Sequence, residues 1–162
     1  NVLSEEGVRQ SVLSILDATL LFSISTVTPE GRPYINTAYF SYSDALELYF
    51  LSHPASLHCR NLARNASIAA TIFSSAQQWT DPGRGLQLFG TCAVTSGAAA
   101  EEAERVYRKR FPGYPKWKAS LKNEDLGHEY RFYRIDVASI KVLDESNLGD
   151  AVFVRASVAV DR

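Results

Sequence analysis

The stretch Glu47–Leu62, ELYFLSHPASLHCRNL, decides the fold, because it contains a strand, a tight loop and the start of a helix. Residues 48–51 are apolar or aromatic, as expected for a strand with at least one buried face. Pro54 cannot continue a β-ladder, so the strand ends before it. Ser56 is predicted to be a helix N-cap whose hydroxyl accepts a hydrogen bond from a backbone N–H two or three residues later.

A strand that ends in small hydroxylated residues and opens a helix is a candidate anion site. The N-terminus of a helix presents unpaired N–H groups and a partial positive charge. Ser52, Ser56, His58 and Arg60 place two hydroxyls and two potential cations around this point. The pattern predicts a phosphate cradle, and the alternative is an ordinary strand–helix connection with a serine cap.

Length and composition exclude several classes of protein. The 162 residues suit one domain, 1–162, that buries its own core. A net charge of −1 argues against a dedicated nucleic-acid binder. No apolar run approaches the ~20 residues that span a bilayer, and no leader sequence is evident. Because the two cysteines, Cys59 and Cys92, make no disulfide framework, we expect a cytoplasmic protein that contacts neither membrane nor nucleic acid.

Strand patterns outnumber helical patterns along the chain. An amphipathic helix is predicted in the N-terminal segment 1–18, followed by a hairpin of strands 19–27 and 34–40. Further strands are predicted at 67–73 and 86–95, and Gly90 marks a bulge or bend in the latter. The remaining predicted elements are helices at 97–111 and 114–122, strands at 128–137 and 140–143, and a C-terminal arm, 144–162, whose residues 151–160 form either a last strand or a contact with a partner subunit.

Short turns between consecutive strands favour an antiparallel sheet over alternating βαβ units. Closing such a sheet removes its exposed edges, so we expect a small barrel or a strongly bent sheet with peripheral helices.

Classical catalytic motifs and metal-ligand clusters are missing from the sequence. The three histidines, His53, His58 and His128, are scattered, and neither cysteine has a CxxC partner. His58 and Cys59 do not share a helix face, which argues against a catalytic pair. Walker, Rossmann and GxSxG motifs are absent. If the protein is an enzyme, a bound cofactor supplies its reactive group.

Three segments resemble the pyridoxamine 5′-phosphate oxidase-like superfamily, the FMN-binding split barrels. They are LFSISTVTPEGRPYINTAYF, LYFLSHPASLHCRNLARNASIAATIF and LQLFGTCAVTS, and the resemblance runs from about Leu20 to Val142. The second segment is the most specific, because its strand, loop and helix carry small hydroxylated and Asn-Leu positions at the family's spacing. Those positions are Ser52, Ser56, His58, Asn61, Leu62 and Asn65.

The resemblance implies a mainly β fold, a six-stranded antiparallel split barrel with peripheral helices. It also implies a homodimer with FMN sites at the subunit interface, and hydride transfer between the flavin and a small-molecule substrate. Asn36 and Thr37 would line the flavin ring, and Ser52, Ser56 and His58 would hold the ribityl phosphate. The residues that would approach from the partner strands and loop are Gln78, Trp79, Arg84 and Gln87.

The chain also departs from the family's pattern. Leu57 and His58 stand where the family usually has a lysine next to an arginine, and Thr37 replaces a basic residue of the pyridoxamine oxidases proper. These departures argue against pyridoxamine 5′-phosphate oxidation itself. They leave open a deazaflavin- or haem-binding relative and a non-catalytic flavin-binding or sensing protein. Tyr114, Trp117 and Tyr130 could stack on a planar substrate, and packing explains them equally well.

Overall fold

The chain forms a β-barrel with peripheral helices in a computed structural model that describes residues 6–121, 129–150 and 152–158. The elements found within these residues are α1 (Glu6–Ala18), β1 (Leu21–Val27), β2 (Pro33–Tyr42), β3 (Leu48–Ser52), α2 (Leu57–Arg64), β4 (Ser67–Phe73), β5 (Arg84–Val94), α3 (Gly97–Arg110), α4 (Tyr114–Ser120), β6 (Arg131–Asp144), α5 (Glu145–Leu148) and β7 (Phe153–Ser157). None of the described helices is both long and apolar enough to cross a membrane.

Six antiparallel strands close the barrel. They follow the order β3-β2-β1-β4-β5-β6, and a second pairing between β3 and β6 completes the circle. The seventh strand, β7, pairs with residues 139–143 of β6. The predicted mainly β fold and six-stranded antiparallel barrel are therefore confirmed.

The barrel interior is filled by residues that alternate along the strands. Phe22, Phe40 and Phe50 are fully buried there, and Phe22 meets the other two rings edge-on at centroid distances of 5.7 and 5.4 Å. The predicted apolar stripe of α1 packs on the same core through Val8, Val12, Ile15 and Leu16. Helix α1 is thus held by side chains spaced three or four residues apart.

A second, smaller core lies between the barrel and α3. Tyr49, next to Phe50 on β3, points the other way and joins Tyr107 of α3 and Phe132 of β6. Neighbouring residues of a strand face opposite sides of the sheet, so β3 contributes to both cores. This arrangement places the aromatic residues of α3 and α4 against the outside of the barrel.

Gly90 permits the closest approach between β5 and β6. The register between these strands shifts at Phe89 and Gly90, as predicted, because Ser139 lies opposite Phe89 and Val137 lies opposite Gly90. Ala138 is the extra residue of this β-bulge. A Cβ atom on Gly90 would lie 2.1 Å from the carbonyl oxygen of Asp136.

One prediction about the C-terminal part was wrong. Residues 128–137 and 140–143 were expected to be separate strands, but residues 131–144 form one strand, because the bulge at Ala138 absorbs the break in the pattern. Of the two alternatives for residues 151–160, the last strand is observed: β7 pairs with β6 and buries Ala156 in the barrel core. Residues 1–5 of the predicted N-terminal helix and 159–162 of the predicted arm lie outside the described residues.

Candidate functional site

The candidate site lies where β3 ends and α2 begins. β3 ends at Ser52, and a turn closes as the Ser56 N–H donates to the His53 carbonyl at 3.0 Å. The Ala55 N–H donates to His53 Nδ1 at 3.1 Å, which fixes the imidazole of His53 in the loop. Helix α2 then starts at Leu57. The predicted strand, loop and helix are all observed at this point.

Three of the predicted phosphate-binding residues meet here, and we call Ser52, Ser56 and His58 the cradle. The Nε2 atom of His58 lies 2.7 Å from Ser52 Oγ and 3.2 Å from Ser56 Oγ. The two hydroxyl oxygens are 3.5 Å apart. A single ring nitrogen can accept only one of the two hydroxyl protons, so the cradle can offer the other to an anion.

The cradle is sheltered from solvent. Ser52 and His58 are 8% and 7% exposed, whereas Ser56 at the helix start is partly accessible. Hydrogen bonds to an anion are stronger in such a setting than in open water, because the local dielectric constant is lower. A ligand would therefore approach from the Ser56 side.

The predicted capping bond of Ser56 is absent. Ser56 occupies the N-cap position of α2 with extended backbone angles, but its hydroxyl makes no capping hydrogen bond. The hydroxyl turns to His58 instead. The first N–H groups of a helix have no partners within the helix, so those of α2 remain oriented toward the helix start without the serine cap. The start of α2 therefore lacks the serine cap that the sequence predicts.

Cys59 and Tyr133 lie next to the cradle. Neither residue was predicted from the sequence to be a neighbour of the site. Burial raises the pKa of the Cys59 thiol, but side-chain hydrogen bonding with His58, Ser52 and Ser56 outweighs this and lowers it to about 7. Burial and the Cys59 thiol raise the pKa of Tyr133. His58 and Cys59 were predicted not to share a helix face, yet both side chains are buried and hydrogen bonding with His58 contributes to the lowered pKa of Cys59.

Thr37 and Gln87, two further predicted site residues, belong to one row of side chains on the outer face of the sheet. Strand pairing aligns Thr37 with Ser23, Ser23 with Thr71, and Thr71 with Gln87. The Oγ atoms of Ser23 and Thr37 are 3.2 Å apart. Asn36 precedes Thr37 and is partly buried, on a part of β2 that extends beyond its pairing with β3. Helix α2, which follows the loop that carries the cradle, contacts β2.

The three remaining predicted residues lie elsewhere in the same chain. Trp79 is fully exposed, and the Gln78 N–H donates to Asp81 Oδ2 at 2.8 Å. Arg84 Nε lies 3.3 Å from Asp144 Oδ1, and its Nη2 donates to Ser14 Oγ at 2.7 Å. Within one chain, these residues are not brought to the cradle, because Asp144 is at the opposite end of β6 from the residues that pair with Ser52.

The ion pair of Arg84 is a structural feature that the sequence did not reveal. Asp144 is completely buried, which raises the pKa of its carboxyl group. Hydrogen bonds from Asn147 and Ser11 and the charge of Arg84 outweigh this, so the pKa lies below its ordinary value. Asp144 therefore stays ionised and holds Arg84 against the barrel end.

An aromatic groove adjoins the cradle on the outside of the barrel. Its cavity of about 720 Å³ lies between β2, β3, α3 and α4, with Leu51 of β3 in its wall. We define the groove by its six rings, Tyr39, Tyr107, Phe111, Tyr114, Trp117 and Tyr130. Tyr130 also meets the His53 ring edge-on at 5.9 Å, so the groove ends at the loop that carries the cradle.

Comparisons with known proteins agree with this architecture. The model of a protein family described as pyridoxamine 5′-phosphate oxidase matches residues 8–144. No functionally curated protein matches the sequence.

Solved structures share the fold at low sequence identity. A haem-binding protein from Mycobacterium smegmatis has a TM-score of 0.71 at 15% identity over 91% of this chain, which spans only 56% of that protein. The haem storage protein HutZ from Vibrio cholerae has a TM-score of 0.63 at 14% identity, with 79% of this chain and 88% of that chain covered. An F420 reductase has a TM-score of 0.57 at 17% identity, with 78% and 93% covered.

Proposed function

Because the chain belongs to the pyridoxamine 5′-phosphate oxidase family, we propose that it is an FMN-dependent oxidoreductase that acts on a small molecule. The observation that carries this proposal is the cradle, in which two hydroxyls and one imidazole converge at the N-terminus of α2. This is the set of groups that a phosphate monoester requires: several hydrogen-bond donors, a group able to carry positive charge, and a helix dipole of the right sign.

The residues present fit the phosphate end of FMN. Ser52 and Ser56 would donate hydroxyl hydrogen bonds to its oxygens, and His58 would donate from Nε2 in its protonated form. The backbone N–H groups at the start of α2 would complete the site. These groups bind and orient; the bound flavin supplies the hydride chemistry.

The cradle would hold the phosphate of FMN, and β2 would determine where the flavin ring lies. Asn36 and Thr37 lie on β2 where it runs past the end of β3. A ligand anchored at the cradle would therefore extend along this strand. Substrate binding would require only that the second molecule lie against the exposed side of the ring, because hydride transfer depends mainly on placement.

A second subunit would complete the site, and the outer face of the sheet supports this part of the proposal. The face defined by β2, β1, β4 and β5 carries large exposed apolar side chains around a centre of small ones. Pairing aligns Ile35 with Ser25, Ser25 with Ala69, and Ala69 with Phe89. The exposed apolar residues of this face are Leu21, Ile35, Tyr39, Phe73 and Phe89. Such a face suits a self-complementary contact with a second copy.

We expect Ile35→Glu to convert the protein from a dimer to a monomer. Ile35 is 68% exposed, so a charge there costs the folded monomer little, whereas burying it in a subunit contact would be unfavourable. Sedimentation at micromolar concentration measures the change. Val152→Glu, at an exposed apolar residue outside this face, should leave the dimer intact. A wild-type protein that sediments as a monomer would contradict the composite site.

The visible absorption spectrum of the purified protein tests the cofactor directly. Two flavin bands and release of FMN, identified by mass, are the expected result. A Soret band would favour haem, and a released deazaflavin would favour the chemistry of the F420 reductase. His53 Nε2 lies 3.1 Å from Glu129 Oε2, which argues against an axial haem ligand at that residue. A colourless protein that takes up no added FMN would favour a non-catalytic role.

The two free cysteines support a reducing compartment such as the cytoplasm. Cys59 and Cys92 are both buried and unlinked. This part of the proposal would be tested by locating the protein in cells.

A further inference from the structure

We propose that the aromatic groove binds a flat, uncharged aromatic molecule, which would lie beside the flavin as its reaction partner. The binding of such a molecule is argued from the groove alone. Its role as a reaction partner rests on the proposed function.

The groove has the size and lining of a site for a flat ring system. Its volume of about 720 Å³ lies within the range of roughly 300–1,000 Å³ typical of small-molecule sites. Tyr107 and Phe111 have ring centroids 4.6 Å apart, and Trp117 meets Tyr130 at 5.8 Å with the rings nearly perpendicular. Because these rings are inclined to one another, the lining combines several ring orientations, which suits stacked and edge-on contacts with a planar ligand.

The charge of the groove argues against a phosphorylated or otherwise anionic ligand. Arg110 is the one charged residue among the described residues of its lining. Its Nη2 donates to the carbonyls of Leu16 and Thr19, each at 2.6 Å. The guanidinium carbon also lies 5.0 Å from the Phe40 ring centre and 5.2 Å from that of Tyr42. Arg110 Nη1 lies 3.9 Å from Asp17 Oδ1, so the charge of Arg110 is already paired, although its buried Nε has no hydrogen-bond partner among the described residues. Arg110 therefore joins α1, β2 and α3.

The lining of the groove also disfavours a cationic ligand. Six aromatic rings could otherwise form a cage for an ammonium group. The described lining residues include no carboxylate that could bind such a cation, and the Asp17 carboxylate outside the lining already pairs with Arg110. An uncharged ring system remains the ligand that fits the groove.

The tyrosine hydroxyls would select for oxygen or nitrogen atoms at the ring edge. Burial raises the pKa of Tyr107 to about 12 and also raises that of Tyr114, so both phenols stay protonated at neutral pH. Each can donate one hydrogen bond and accept others. The same burial that raises the pKa values of these phenols would also disfavour a charged ligand.

The groove lies next to the loop that carries the cradle. Leu51 lines the groove on the outer side of β3, whereas Ser52, the next residue, faces the other side of the sheet. Tyr130 connects the groove to His53 in the cradle loop through their edge-on contact. A ring system in the groove would therefore reach the loop that carries the cradle at its Tyr130 end, and a flavin anchored at the cradle would have to extend past this loop to meet it.

Three ligands with the same ring and different charge test this inference. Equilibrium dialysis of the flavin-free protein would compare 2-naphthol, 2-naphthoate and 2-naphthylmethylamine, which are neutral, anionic and cationic at neutral pH. We expect saturable binding of 2-naphthol at one site per chain, at least tenfold tighter than either charged ligand. Trp117→Ala should weaken 2-naphthol about tenfold by removing an aromatic contact. The control is Phe153→Ala, because Phe153 is an exposed aromatic residue of β7 outside the groove, and it should change nothing.

Several results would overturn the inference. They are tighter binding of either charged ligand, 2-naphthol affinity that Trp117→Ala leaves unchanged, and displacement of 2-naphthol when FMN is loaded, since the groove would then hold the flavin ring itself. Failure of the proposed function is a separate result. A protein that binds 2-naphthol through Trp117 but takes up no flavin would support the groove and contradict FMN binding.

Discussion

Gly90→Ala is expected to lower the free energy of unfolding by about 3 kcal/mol or more, although it adds a single methyl group. The new Cβ would lie 2.1 Å from the Asp136 carbonyl oxygen and 3.1 Å from the Ala138 nitrogen. Both are backbone atoms of β6, which cannot rotate away as a side chain could. The two strands would have to separate at the bulge, where overpacking costs about 1–3 kcal/mol even in adaptable cores. The loss would affect the longest strand pair of the barrel, between β5 and β6.

The same substitution in α1 provides the control. A Cβ on Gly7 meets nothing within 4 Å, and Gly7 lies in a helix. Gly7→Ala should therefore raise the free energy of unfolding by about 0.5 kcal/mol, because alanine favours helix more than glycine does. Urea denaturation of both variants measures the two changes. A Gly90→Ala protein as stable as Gly7→Ala would show that β5 and β6 do not approach as closely as described.

Replacing Ser56 and His58 together with alanine is expected to weaken FMN binding about a hundredfold or more. Hydrogen bonds to charged groups contribute about 1.5–3 kcal/mol each, and the double substitution removes two of them. A loss of 1.4 kcal/mol corresponds to about tenfold in affinity. Flavin fluorescence titration measures the change, and thermal unfolding would establish that the variant is folded.

His53→Ala is the matched control for this experiment. His53 lies in the same loop, but its ring meets Tyr130, and its Nε2 lies 3.1 Å from Glu129 rather than in the cradle. Its substitution should change FMN affinity by less than threefold. If the cradle variant bound FMN as tightly as the wild type, Ser56 and His58 would not be phosphate ligands.

The barrel could be predicted because its signals are local. The strand from Leu48 to Leu51 is a run of apolar and aromatic residues that ends before Pro54, and Gly90 marked the bulge. Each of these signals depends on the conformational limits of one residue or on a short run of apolar residues. The observed β3 and the register shift at Gly90 agree with both predictions.

Features that depend on distant partners could not be predicted. Ala138 looked like part of a linker, because its role as the bulge residue depends on Gly90, which lies opposite it on β5. Arg110 lies near the end of the predicted helix 97–111, and no local pattern indicates that it binds the carbonyls of Leu16 and Thr19, more than 90 residues earlier. The Ser56 hydroxyl was predicted to accept a hydrogen bond from a backbone N–H of α2. It lies 3.2 Å from His58 Nε2 instead.

The residues of the candidate site could likewise be predicted only where they are close in sequence. The cradle was predicted because Ser52, Ser56 and His58 are neighbours in sequence as well as in space. Thr37 and Gln87 share a row only after four strands have paired, and the sequence gives no register between β1 and β4. The groove combines residues from 20 to 130, so its aromatic members could be noted in the sequence but not assembled.

The affinity ratio of FMN to riboflavin for the wild-type protein tests the central claim most directly. The two ligands share the same ring and differ only in the phosphate that the cradle is proposed to bind. We predict that FMN binds at least a hundredfold more tightly, because riboflavin cannot use Ser52, Ser56, His58 or the start of α2. Equal affinities, or no binding of FMN, would contradict the assignment of this site to the flavin phosphate.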